Sequence, residues 1–264
     1  MGSRAVNIDL NADLGEGFGP WRIGDDEALL DVLSSANVAC GFHAGDPLIM
    51  QRTVEAALRR GVDVGAHVAF PDRQGFGRRP MQVEATELAA MVTYQLGALA
   101  GIASAAGHRM THMSFHGALG NMAAADAALA DTLVEAVARF DRKLLIVSSP
   151  SRAIESAASQ HGIQVVTTFL ADRACDADGL LIPRRMPDSV IHDEAIVLQR
   201  VGLLLREGIV MTYDGKSLPM RPHSILVHGD TPGAVALARA VRREIETSGA
   251  RVVSISRLRH DAEP

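Results

Sequence analysis

The sequence predicts an α/β fold in the form of a (β/α) barrel. Short runs of β-branched and other apolar residues alternate along the 264 residues with longer segments whose apolar residues recur at helical spacing. Parallel strands joined by crossover helices produce this order. About seven or eight such units fit the length, which favours a closed or nearly closed barrel over an open doubly wound sheet. The Gly-x-Gly-x-x-Gly fingerprint is absent after the first strand, and this weakens the open-sheet alternative.

Each element is assigned from its residue pattern. The predicted strands are Ala5 to Leu10, Ser35 to Cys40, Val62 to His67, Met110 to Phe115, Lys143 to Ser148, Gln164 to Phe169, Ile225 to His228 and Arg251 to Ile255. The predicted helices are Pro47 to Arg60, Val83 to Ala106, Ala123 to Phe140, Arg152 to His161, Asp193 to Glu207 and Pro232 to Ser248. Pro47 and Pro232 follow Asp and Thr, and the first turn of a helix accepts proline.

The composition is that of an ordinary globular protein and argues against nucleic-acid-binding, disulfide-rich and membrane classes. The chain is 47% hydrophobic and 22% charged, with a formal net charge of −5, so we expect one soluble domain over residues 1–264 and no affinity for nucleic acid or an anionic membrane. Its two cysteines do not make a disulfide framework. We see no signal peptide and no segment apolar enough to span a membrane, and we therefore expect a cytoplasmic protein.

Ionisable side chains stand at the ends of the predicted strands, with glycine beside them. In the first segment Asn7, Asp9, Asn11 and Asp13 alternate with apolar residues, so they share one face of a strand. A polar column inside a barrel needs mutual hydrogen bonds or a ligand. The alternative is a turn and capping cluster, since Asp and Gly often serve turns. Asp13 and Glu16 are therefore candidates for proton transfer or cation binding.

Four histidines occupy corresponding positions. His43, His67, His116 and His228 each come at or just after the end of a predicted strand, and histidine suits acid–base work or metal ligation near neutral pH. A single histidine at a strand end is often only a packed residue at the rim of a barrel. The functional interpretation therefore depends on all four histidines lying at the same end of the predicted strands. Asp46 precedes Pro47 and fits the N-cap of the following helix.

Two polar stretches interrupt the alternation, Phe70 to Met81 and Asp172 to Asp193. Both are long enough to be functional loops. Their charged residues could bind a carboxylate or a phosphate, or they could be solvated and paired with one another. From strand-end and loop placement we predict the catalytic residues Asp13, Glu16, His43, His67 and His116. The predicted substrate-binding residues are Asn11, Asp46, Asp72, Arg78, Asp172, Arg173, His228 and Asp230.

Several longer motifs resemble one known family, LamB/YcsF, over nearly the whole chain. They include Asp-Leu-Asn-Ala-Asp-Leu-Gly-Glu-Gly from Asp9, Ala-Asn-Val-Ala-Cys-Gly-Phe-His-Ala-Gly-Asp from Ala36, and Gly-Ala-His from Gly65. Phe-Gly-Arg-Arg from Phe76, His-Gly-Ala-Leu from His116, Ala-Asp-Arg from Ala171 and His-Gly-Asp from His228 complete the set. The motifs occur in the right order, which makes the resemblance specific.

The resemblance to this family implies a fold and an activity. It implies a seven-stranded, deacetylase-like (β/α) barrel. It also implies the role of the A subunit in an ATP-dependent 5-oxoprolinase, which cleaves the lactam 5-oxoproline to glutamate. ATP with Mg²⁺ would be the cofactor, bound in part by partner subunits, and subunits B and C would be needed for activity.

The chain departs from the family pattern at several positions. Ser114 stands where the pattern has Lys, Gly120 and Cys175 where it has Tyr, Thr168 where it has Glu and Val68 where it has Pro. Two alternatives therefore stay open, a stand-alone metal-dependent amide or N-acetyl hydrolase and a non-catalytic ligand-binding paralogue. Asp with two or three His suits Zn²⁺ or a similar ion, but the dispersed spacing does not decide whether a metal binds. A homo-oligomer also stays open.

Overall fold

The computed structural model describes residues 6–260. Its strands, in chain order β1 to β10, are Asn7–Leu14, Ser35–Ala39, Asp63–Val68, Met110–Phe115, Leu145–Ser148, Gln164–Leu170, Ile209–Met211, Ser217–Pro219, Ser224–Leu226 and Arg251–Val252. Its helices, α1 to α9, are Asp26–Leu30, Pro47–Arg60, Ala85–Ala105, Gly117–Ala125, Ala127–Phe140, Arg152–His161, Glu194–Glu207, Ala234–Thr247 and Ile255–His260.

The sheet closes into a barrel. Strands β1 to β6 pair in sequence order, β6 pairs with β9, and β9 pairs back onto β1 through Leu10↔Ile225, so seven parallel strands form a ring. Strand β10 lies outside the ring and pairs with the first two residues of β1. The predicted seven-stranded barrel is confirmed.

Element boundaries differ from the prediction in ways that matter for the site. Strand β1 continues four residues past the predicted end to Leu14, because its alternating polar residues line the barrel interior rather than a turn. The predicted start at Ala5 lies outside the described residues. The closing strand ends at Leu226, so His228 belongs to the loop after β9.

Helices also deviate from the pattern. The segment predicted as Ala123 to Phe140 is broken at Asp126, whose extended backbone ends α4 while its carboxylate caps α5. The predicted last strand stops at Val252, and Ile255 instead begins α9. Helix α8 begins at Ala234 rather than Pro232. The short helix α1 and the antiparallel β7–β8 hairpin had no clear signal in the sequence.

Helix α9 covers the amino end of the barrel. The Ile255 amide donates a hydrogen bond to Ser35 Oγ at 3.1 Å, and its fully buried side chain packs with Leu145, Val147 and Val166. Chemistry that depends on solvent access is therefore confined to the other end, where the strands finish and the two long loops lie.

Helix α3 is the longest helix among residues 6–260. Its 21 residues include an 18-residue window with mean hydropathy 1.4, so by length and composition it could cross a membrane, contrary to the sequence-based expectation. One face, including Leu96 and Leu99, is buried in the main hydrophobic core. Its Gln95 side chain bonds both the amide and the carbonyl of Ala69 at the end of β3. In the described chain α3 is thus one of the helices that pack on the barrel.

The barrel interior contains the predicted polar column. Asp9 accepts hydrogen bonds from Ser34 Oγ (2.7 Å), Ser224 Oγ (2.6 Å) and Asn11 Nδ2 (3.0 Å). Asn37 then bridges Asn11 and Asp13, with Nδ2 3.0 Å from Asp13 Oδ1. Burial raises the pKa of Asp9 despite these donors. The column links β1, β2 and β9 and leads up to the carboxyl end of the barrel.

The first helix after β2 is fixed by Asp46. Asp46 Oδ1 accepts from the amides of Leu48 and Ile49, and Oδ2 accepts from the amide of Gly19 at 2.8 Å. Asp126 offers a matched comparison because it caps α5 through two amides without such a third bond.

We predict that Asp46→Ala destabilises the protein more than Asp126→Ala. Loss of either cap should lower the free energy of unfolding by about 0.5–2 kcal/mol, and loss of the Gly19 bond should add about 0.5–1.5 kcal/mol. Chemical denaturation of both variants measures the difference. An equal or smaller loss for Asp46→Ala would contradict the structural role assigned to this carboxylate.

Candidate active site

The five predicted catalytic side chains meet at the carboxyl end of the barrel. His43 Nε2 lies 3.0 Å from Glu16 Oε1, and His116 Nδ1 lies 2.8 Å from His67 Nε2 and 3.7 Å from Glu16 Oε1. Asp13 Oδ2 lies 3.4 Å from His67 Nε2. All five residues are buried. Side chains from four separate strand ends therefore form one cluster.

The loop after β3 holds the histidine rings in place. His43 and His116 stack with their centroids 3.8 Å apart, and Phe76, at φ 54°, presents its carbonyl to His116 Nε2 at 2.7 Å. The next residue, Gly77, also has positive φ, and a Cβ there would lie 2.8 Å from both His116 Cδ2 and His43 Cβ. Only glycine fits this close approach without displacing the rings.

Burial and neighbouring charges set the protonation states. Burial, reinforced by the other histidines, lowers the pKa of His43 and His116 well below the ordinary value, so both rings are neutral at pH 7. Burial and the nearby charge of Asp13 raise the pKa of Glu16. Burial alone would raise the pKa of Asp13, but His67 outweighs it, and this pKa is lowered. Asp13 is therefore the permanent carboxylate of the cluster.

A second group lies beside the first. His228 Nδ1 is 2.8 and 2.9 Å from the two oxygens of Asp172, and both residues are buried. Burial lowers the pKa of His228, yet Asp172 and Asp13 outweigh this and raise it overall. Arg78 donates to Asp230 at 2.6 Å. A carboxylate that orients one ring nitrogen of a histidine leaves the other for proton transfer.

A cavity of about 580 Å³ opens between these groups. Asp13, His67, His116 and His228 line it, and so do four arginines, Arg78, Arg173, Arg184 and Arg185. Arg173 is fixed by bonds to the carbonyls of Ser189 and Ile182, and burial lowers its pKa to about 10. The cavity therefore combines a carboxylate, histidines and a cationic wall, which suits an anionic substrate.

Sequence reasoning did not select two of these arginines. Arg184 and Arg185 lie in the predicted Asp172 to Asp193 loop, and the only available signal was the basic pair itself. Paired basic residues are ordinarily solvated surface, and both of these are indeed exposed while also lining the cavity. Their relevance depends on where the loop folds, which local sequence does not specify.

Five predicted substrate-binding residues do not line the cavity because other partners hold them. Two of them, Asp172 and Asp230, contact the cavity residues His228 and Arg78 as described above. Asp46 caps α2, as described above. Asp72 accepts from both Arg79 and the amide of Gly75, so it braces the loop after β3. Asn11 is fully buried below the site in the polar column. The structure thus gives Asp46, Asp72 and Asn11 structural partners, and their contact with substrate stays a prediction.

Three of the five departures from the family pattern lie in the same place. Ser114, Gly120 and Thr168 all line the cavity. Ser114 Oγ lies 2.6 Å from His67 Nδ1, so this serine contacts the histidine cluster directly. Small side chains at Ser114 and Thr168 leave room that a Lys and a Glu would fill, whereas a Cβ at Gly120 would lie 2.5 Å from the Phe115 carbonyl oxygen.

Comparison with known proteins identifies the family. The family model described as LamB/YcsF matches residues 8–260. The chain belongs to the LamB/YcsF family. A relative from Ralstonia nicotianae, named as the second A subunit of 5-oxoprolinase in that organism, is 66% identical over 95% of this chain and 96% of its own length. A relative from Pseudomonas syringae pv. tomato, named as a first A subunit of 5-oxoprolinase, is 61% identical over 96% and 99%.

A solved structure of similar fold supports the same assignment. The lactam utilization protein from Thermus thermophilus superposes with a TM-score of 0.88 at 39% identity, covering 95% of this chain and 100% of that one. The LamB/YcsF fold therefore extends across nearly the whole of both chains.

We predict that Gly77→Ala perturbs the histidine cluster of this LamB/YcsF protein more than its backbone strain alone explains. Gly107 provides the control, since it also has positive φ (76°) but no atom within 4 Å of an added Cβ. Gly107→Ala should cost about 1 kcal/mol of unfolding free energy, and Gly77→Ala about 1–3 kcal/mol more from overpacking. Denaturant unfolding compares the two, and equal losses would refute the close packing.

Proposed function

We propose that this chain is the A subunit of a 5-oxoprolinase, an enzyme that opens the lactam of 5-oxoproline to glutamate with ATP hydrolysis. The observation that carries the proposal is that Asp13, His67 and His116 line one cavity together with four arginines, here called the arginine wall. Close relatives of the chain are named as A subunits of 5-oxoprolinase. The relatives' names support the existence of partners, which we propose to be subunits B and C. We further propose that the complex works in the cytoplasm.

The chemistry requires activation of an unreactive amide. ATP supplies this by phosphorylating the lactam carbonyl oxygen, which makes the ring carbon electrophilic. The cavity residues suit the step that follows, the attack of water on this carbon. Asp13, as a carboxylate 3.4 Å from His67 Nε2, can stabilise the positive charge that develops nearby as the attacking water loses its proton. Asp13 and His67 both line the cavity, so their carboxylate–imidazole pair faces the bound substrate.

The arginine wall suits the substrate's anionic groups. Arg78 is held by Asp230, and Arg184 and Arg185 reach the same cavity from the opposite loop. A guanidinium binds a carboxylate or a phosphate with paired N–H donors. We propose that these residues hold the 5-oxoproline carboxylate and the phosphate groups. A cavity of about 580 Å³ falls within the range of about 300–1,000 Å³ that holds drug-sized ligands, larger than a single five-membered ring requires.

His228 is suited to protonate the leaving group. When the C–N bond breaks, the ring nitrogen must take a proton to leave as the amine of glutamate. The raised pKa of His228 favours the protonated ring, and Asp172 fixes its orientation. We propose that His228 is the general acid for this step, rather than a purely substrate-binding residue.

We predict that glutamate release from 5-oxoproline needs ATP, this chain and the neighbouring subunits together. Asp13→Asn should lower turnover of the assembled complex by about 10²–10⁴-fold, since it removes the carboxylate that supports proton transfer. Glutamate is quantified with each component omitted in turn. Release by this chain alone without ATP, or full turnover by Asp13→Asn, would exclude the proposed mechanism.

We predict that Asp172→Asn moves the alkaline limb of the pH–rate profile to lower pH. Asp172 raises the pKa of His228, so the acid form of His228 is lost only as pH rises through this elevated value. Removing the carboxylate charge should let deprotonation occur at lower pH. The matched control is Asp131→Asn, because Asp131 pairs with the partly exposed His161 far from the site. An unchanged limb in Asp172→Asn would remove His228 from the acid role.

A further inference from the structure

Four side chains at the strand ends direct donor atoms at one small volume. Glu16 and the rings of His43, His67 and His116 each contribute one carboxylate oxygen or imidazole nitrogen, and these four atoms all lie within 4.8 Å of one another. All four residues are buried. Convergent donors from four separate segments are costly to bury unless something shares them.

The donor spacing is close to that of a four-coordinate metal site. With metal–nitrogen distances of about 2.0–2.1 Å, ligand atoms of a tetrahedral site lie about 3.4 Å apart. Here the neighbouring donor pairs are separated by 2.8 Å (His116 and His67), 3.0 Å (His43 and Glu16) and 3.7 Å (His116 and Glu16). These values straddle the tetrahedral spacing, so small side-chain shifts would complete the site.

Outer partners orient two of the rings. The Phe76 carbonyl can only accept, so His116 carries its proton on Nε2, and Nδ1 offers a lone pair to the cluster. His67 Nδ1 lies 2.6 Å from Ser114 Oγ, which leaves its Nε2 for the cluster. Metal-binding histidines characteristically use their second nitrogen in this way.

Hydrogen bonding alone leaves the cluster incompletely paired. The buried Nδ1 of His43 has no partner among the described residues. His116 Nδ1 can accept a hydrogen bond from His67 Nε2, so the unpaired atom of the cluster is this Nδ1 of His43. Three imidazoles and a carboxylate form a typical donor set for Zn²⁺ or a similar divalent transition ion.

We propose that Glu16, His43, His67 and His116 form a binding site for one divalent transition-metal ion of the Zn²⁺ class. His67 and His116 line the cavity, so the ion would lie at its edge, with four protein ligands as in a closed tetrahedral site. The site depends on the residue at position 114. A lysine there would bring a positive charge against His67, whereas Ser114 supplies a neutral partner. Metal binding by the isolated chain stands apart from the proposed 5-oxoprolinase function.

The test measures metal binding directly. Chain stripped with a chelator is titrated with Zn²⁺ by calorimetry and with Co²⁺ by visible absorption, which reports tetrahedral coordination. We expect one ion per chain and a rise in melting temperature with Zn²⁺. The double variant His67→Ala/His116→Ala should lose both, while His161→Ala, remote from the cluster, should keep both. Circular dichroism verifies that each variant is folded. A native chain that binds no ion, or a folded double variant that binds normally, overturns the proposal.

A second pair of variants tests the part played by Ser114. Ser114→Lys should weaken Zn²⁺ binding at least tenfold, because it places a cation beside His67. Ser149→Lys adds the same charge elsewhere on the cavity wall and should retain native affinity. Equal affinities in the two variants would contradict the contribution of Ser114. The glutamate assay is run on the same samples, so loss of metal binding and loss of the 5-oxoprolinase function are scored separately.

Discussion

The pairing of β9 with β1 is the constraint on which the rest of the structure depends. Leu10 and Ile225 are neighbours in the sheet although more than two hundred residues separate them in the chain. This pairing closes the ring, so the carboxyl ends of the first and last barrel strands share one rim. Asp13 and His228 come to line a single cavity for this reason. In an open sheet the two residues would lie at opposite edges.

The interior of the ring is stabilised by a continuous polar network. Asp9 is fully buried, and three side-chain donors compensate its removal from water. Two of them, Ser34 and Ser224, belong to segments that the closed barrel brings beside β1. Loss of one partner would leave a buried carboxylate short of donors, which is costly. The same network continues through Asn37 to Asp13, so the support of the barrel and the geometry of the site are physically connected.

The site combines two kinds of electrostatic environment within one cavity. In the cluster of Glu16 and the histidines, burial dominates and favours neutral side chains. Around His228 and the arginines, specific partners keep charges in place. Neutral imidazoles can accept protons or share lone pairs, whereas charged imidazolium and guanidinium groups can donate hydrogen bonds to anions. The division follows from which side chains have an opposite charge within hydrogen-bonding distance.

Local sequence determined the strand–helix alternation, the polar face of β1 and the set of histidines at the strand ends, because periodicity and residue type act over a few neighbouring positions. It also identified Asp46 as a helix cap. Tertiary structure alone decided that the ring closes between β1 and β9, that Asp72 pairs with Arg79 instead of lining the cavity, and that Arg184 and Arg185 reach the cavity. These outcomes depend on contacts between distant segments, and no short window of residues encodes the path of a long loop.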